Sequence, residues 1–142
     1  MSIQMILLPL LVQVALTFAM MLGMMYRRSS SLMRGETRFE DIALREPNWP
    51  RQATLFAYAF GNQFELPVLF YLLTILTIIT RQADLLFVLL AWVFVLLRVF
   101  QALVHVTSNN VRYRGAFFGA GAIVLLIMWI IFMVRFLLGG VP

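Results

Sequence analysis

Apolar positions fall into four long blocks, at about 3–26, 53–79, 85–106 and 116–138. Each is long enough to cross a hydrocarbon core, which takes about 20 helical residues. Between them lie a polar loop at 27–52, a tight turn at Thr80–Asp84 and a polar link from Thr107 to Arg114. The pattern predicts an all-α membrane protein, with residues 1–142 forming one four-helix transmembrane bundle. The short turn makes the second and third spans antiparallel neighbours. Pro67 should kink the second span or free the carbonyl at Gln63, since proline has no N–H and crowds the preceding turn. Pro47-Asn48-Trp49-Pro50 breaks the chain before that span, with Trp49 placed as an interface anchor. Gly115, Gly119 and Gly121 give the fourth span a small-residue pattern suited to close helix contact, and Gly139-Gly140 ends it.

Composition agrees: 63% of the 142 residues are hydrophobic, more apolar surface than a soluble domain of this size can hide. The net charge of +5 comes from 11 arginines and no lysine. They cluster in loops beside the spans, which is the positive-inside pattern and calls for no nucleic acid. Arg27, Arg28, Arg34, Arg38, Arg45, Arg51, Arg112 and Arg114 mark one side as cytoplasmic, leaving both termini outside. The first block lacks a small-residue cleavage site before the arginines and reads as a retained span. No cysteine is present, which excludes disulfides, thiolate metal sites and a cysteine nucleophile.

The candidate chemistry lies in the few polar residues inside the spans. A carboxylate at mid-membrane costs roughly 2.5–3.5 kcal/mol on insertion scales, and Glu65 is the only acid there. At a rise of about 1.5 Å per residue it lies roughly 18 Å deep, and Arg98 on the neighbouring span roughly 15 Å deep. A buried Glu65–Arg98 ion pair is the expected arrangement. Tyr58, Asn62 and Glu65 share one helix face, as do Arg98, Gln101 and His105, with Asn109 extending the row. Two such stripes on adjacent helices form a polar cleft open toward the basic loops. With Arg27, Arg28, Arg51, Arg112 and Arg114 around it, the cleft suits an anionic ligand. The same pair would also serve merely to lock helix pairing, and loop arginines serve topology. One His and one intramembrane Glu do not make a metal site.

Asn62-Gln-Phe-Glu65, Pro67 just after it, and Arg98…His105…Arg114 resemble the MAPEG family, the membrane-associated proteins of eicosanoid and glutathione metabolism. The resemblance covers the whole chain. The step from Arg98 to Arg114 is similar to the microsomal glutathione transferase pattern, and Phe64–Tyr71 resembles the bacterial branch, hence a bacterial inner membrane. The resemblance implies a homotrimer of left-handed four-helix bundles with glutathione held between subunits on the cytoplasmic side. It implies that Arg27 or Arg28 binds a glutathione carboxylate, that Asn62 and Glu65 belong to the binding and support network, and that Arg114 sits near the thiol or a carboxylate. Enzymatic members carry Arg at the position of Tyr58 and Tyr at the position of His105. An imidazole there would still lower a thiol pKa from its free value of about 8.5 by donating a hydrogen bond or a positive charge.

Three functions follow. The first is a glutathione-dependent transferase or peroxidase acting on lipophilic electrophiles from the bilayer, with His105 and Arg114 as catalytic residues. Arg27, Arg28, Arg51, Tyr58, Asn62, Glu65, Arg98, Gln101 and Arg112 are then ligand-binding. The second is a non-catalytic scaffold or accessory subunit holding lipid or a partner protein in the same cleft, which Tyr58 and His105 favour. The third, proton conduction along Glu65–Arg98–His105, lacks a polar path beyond Pro67, where the span offers only Thr74 and Thr77.

Overall fold

The computed structural model describes residues 2–139, and among them it contains helices and no strands. In chain order the helices are α1 (Ile3–Met33), α2 (Phe39–Ile42), α3 (Arg51–Asn62), α4 (Leu66–Ile79), α5 (Leu85–Val106) and α6 (Val111–Leu138). Four stretches are long and apolar enough to cross a membrane, with α3 and α4 together making the second. The chain is an integral membrane protein. Of the glycines expected to end the last span, Gly139 follows α6 directly and Gly140 lies outside the described residues.

Local chemistry explains the boundaries. The Asp84 carboxylate accepts the Phe87 N–H at 3.0 Å and opens α5. Asn110 Oδ1 accepts the N–H groups of Arg112 and Tyr113 and starts α6 at Val111 rather than Ala116. Arg112 and Arg114 therefore sit on the helix and not in a loop. At the other end of the first span, α1 continues past Tyr26 and Arg27-Arg28 to Met33. The chain then turns through Gly35, whose φ of +75° favours glycine.

The second span is broken outright where a kink was expected. Gln63, Phe64 and Glu65 donate their N–H groups three residues back, to the carbonyls of Phe60, Gly61 and Asn62. Helix resumes at Leu66 with the buried Pro67 in its first turn, where the missing N–H costs nothing.

The most heavily buried helix is α5, which packs on α1, α3 and α6. One packed cluster joins Phe70 and Leu73 of α4, Ala91, Phe94 and Val95 of α5, and Leu125 and Met128 of α6. The Phe70 and Phe94 rings stack at 4.9 Å between centroids. A second cluster, Met20, Ala59 and Ala102, joins α1, α3 and α5 nearer the basic end. Since lipid is as apolar as leucine, van der Waals fit and internal hydrogen bonds hold such a bundle. Gly121 fits that rule, resting against the Phe94 ring, whereas Gly115 and Gly119 face open space within this chain. Gln13 and Gln63, both buried, supply the polar tie. The Gln13 amide donates to Gln63 Oε1 at 2.8 Å, and Gln63 Nε2 donates to the Ala59 carbonyl at 2.8 Å.

Candidate functional site

Arg98, Gln101 and His105 form one buried row on α5. Arg98 is fully enclosed, and its Nη2 donates to the Asn62 carbonyl at 2.9 Å. The expected Glu65–Arg98 ion pair is not formed: among the described residues the one ion pair is Arg135–Asp84, at the opposite end of the bundle. The break explains the difference. By ending α3 at Asn62, it presents Arg98 with a helix C-terminus, whose carbonyls carry partial negative charge. It also turns Glu65 outward, so that its side chain is exposed and acts on Arg98 only through space.

Glu65 faces a cleft of about 580 Å³ between α3, α5 and α6. Tyr58, Asn62, Gln101, His105 and Arg114 line it with Glu65, so six of the residues selected from sequence meet there. Its volume is within the usual range for small-ligand sites, about 300–1,000 Å³. The Tyr58 ring stands 6.4 Å from the His105 ring, tilted by 36°. Arg114 is steadied by Asn109, whose Oδ1 accepts from its Nη1 at 2.8 Å. Asn109 reaches this position through a left-handed backbone, φ +50°. The cleft thus holds a fixed cation on α6 and an acid at the break between α3 and α4.

Its inner wall carries unused hydrogen-bonding capacity. Neither ring nitrogen of His105 has a protein partner, nor does Gln101 Oε1, and behind them Arg98 Nε and Nη1 are also unpaired. Buried polar atoms are ordinarily satisfied, and leaving one unmade costs about 1–3 kcal/mol. The three on the cleft wall, from His105 and Gln101, mark a place for a polar guest.

The remaining selected residues lie elsewhere. Arg112 is exposed outside the cleft, because two residues along a helix turn it to the far side from Arg114. Arg27 and Arg51 line a separate surface cleft with Ser30 and Glu36. Arg28 lines a third, against the loop before α3. Sequence reasoning did not select Ala57, Gly61, Gly115 or Phe118, which complete the cleft wall. Three of these are small residues without side-chain chemistry, and the fourth carries no mark distinguishing it from lipid-facing phenylalanines.

A family model described as the MAPEG family matches residues 6–134. Neither the search of curated proteins nor that of solved structures found a match. With the family pattern running over nearly the whole of a four-span helical chain, the protein belongs to the MAPEG family.

Proposed function

We propose that the protein is a glutathione-dependent transferase or peroxidase acting on lipophilic electrophiles drawn from the bilayer. The single observation carrying this reading is the His105 imidazole, buried with both nitrogens unpartnered at the wall of a cleft that also holds Arg114 and Glu65. An anionic tripeptide has complementary partners there: Arg114 for a carboxylate, Glu65 for an amino group, Gln101 and Asn62 for amides. The tripeptide supplies the thiol. His105 donates a hydrogen bond to the sulfur, and Arg114 adds positive charge near it, so the thiolate is favoured over the thiol. The protein adds ionisation and proximity and forms no covalent bond of its own. Three copies in a bacterial inner membrane, with the basic loops cytoplasmic, complete the proposal. Stopped-flow ultraviolet absorbance of purified protein mixed with millimolar glutathione tests it. A thiolate signal that disappears in His105→Ala is expected; no signal and no thermal shift refute it.

A second reading, a non-catalytic scaffold or accessory subunit, draws on Tyr58 and His105 standing where enzymatic relatives carry Arg and Tyr. A stable partner in a gentle detergent pull-down, with no thiolate signal, would select it.

A further inference from the structure

The cleft beside Arg28 is a different kind of place. It has a volume of about 510 Å³ and lies between the end of α1, the loop before α3, and α3 itself. The Arg28 guanidinium stacks 4.8 Å from the Trp49 ring centroid, and its Nε is enclosed without a partner. Stacking on an aromatic face leaves the N–H edge of a guanidinium free for an anion. Arg45 lines the same cleft, from a left-handed backbone position at φ +63°. The one carboxylate on the wall, Glu46, is engaged by the Leu44 N–H at 2.9 Å. Asn48 holds the loop in shape, donating from its side chain to the Asp41 carbonyl. Two cations therefore face a single committed acid.

Met24, one turn before Arg28 on α1, and Phe60 of α3 give the lining an apolar part. Leu22, Met25 and Tyr26, on the same turns of α1, are exposed as lipid-facing residues are. The cleft thus has a cationic, aromatic upper rim and an apolar lower wall at the level where α1 leaves the hydrocarbon.

We infer that Arg28, Trp49 and Arg45 hold the anionic phosphate headgroup of a bilayer phospholipid, with its acyl chain running down past Met24 and Phe60. This site is separate from the His105 cleft and does not depend on the reaction assigned there. Tyr58 lines both, so a lipid seated here lies against the wall of the other.

Native mass spectrometry of the delipidated full-length protein tests the inference, with phosphatidylglycerol and phosphatidylcholine of identical acyl chains as probes. A basic residue near an anionic surface contributes about a fivefold preference. The wild type should favour phosphatidylglycerol by at least that factor, and Arg28→Gln should lower the preference about fivefold. If Arg28→Gln does not fold, Arg45→Gln, altered only at an exposed loop position, should still lose about fivefold. Equal binding of both lipids by the wild type, or a preference unchanged in both variants, overturns the assignment. Displacement of bound phosphatidylglycerol by millimolar inorganic phosphate overturns it too, in favour of a soluble anion.

Discussion

Replacing Glu65 by Gln separates the observed site from the one a buried ion pair would make. Breaking a buried pair from one side strands a charge and costs about 3–5 kcal/mol. In the structure Arg98 instead leans on the Asn62 carbonyl, and Glu65 is exposed to the cleft without an ion-pair partner. Glu65→Gln should therefore stay within about 0.5 kcal/mol of wild type, as exposed substitutions do. Arg98→Met behaves differently. It gives up a hydrogen bond from a charged donor, about 1.5–3 kcal/mol, and is offset by no longer enclosing a charge. Because Glu65 acts on Arg98 only through space, from an exposed position, the coupling in the double variant should stay below about 1 kcal/mol. Reversible unfolding of purified protein in mixed micelles, titrated with a denaturing detergent, measures all three. A loss of 3 kcal/mol or more in Glu65→Gln alone, on the scale of a broken buried pair, would refute the reasoning. So would a coupling of that size in the cycle.

The same assay addresses the amide tie between α1 and the break. Gln13→Leu should cost about 1–2 kcal/mol by leaving Gln63 Oε1 unpaired, and the Gln13→Leu/Gln63→Leu double variant should recover part of it. Gly23→Ala should destabilise by about 1–3 kcal/mol, because the added methyl meets the Phe56 ring where α1 crosses α3. That outweighs the helix-propensity gain of up to about 1 kcal/mol, so a stabilised Gly23→Ala would contradict the packing. Asp84→Asn removes the 2.8 Å pair with Arg135, whose partners are each about two-fifths exposed. Its cost should be below about 1 kcal/mol and should shrink further in high salt.

Four spans were readable in advance because membrane insertion is a one-dimensional requirement. A run such as Leu85–Val106 is long and apolar enough to cross whatever its neighbours do. The meeting of Tyr58, Asn62 and Glu65 with Gln101 and His105 was readable for a related reason: helical spacing places residues on one face, and a short turn makes two helices adjacent. The partner of Arg98 was not readable. Matching depth points to Glu65, but the chain breaks at Gln63–Glu65, and a backbone carbonyl offered by that break has no letter in the sequence. The arginines divide among separate clefts for a similar reason. Arg112 and Arg114 are equally basic by composition, yet the Asn110 cap makes both helical, and a two-residue step then aims them apart. One-dimensional pattern places residues on elements and faces. Backbone breaks, caps and three-dimensional packing assign their partners, because those depend on groups that every residue shares.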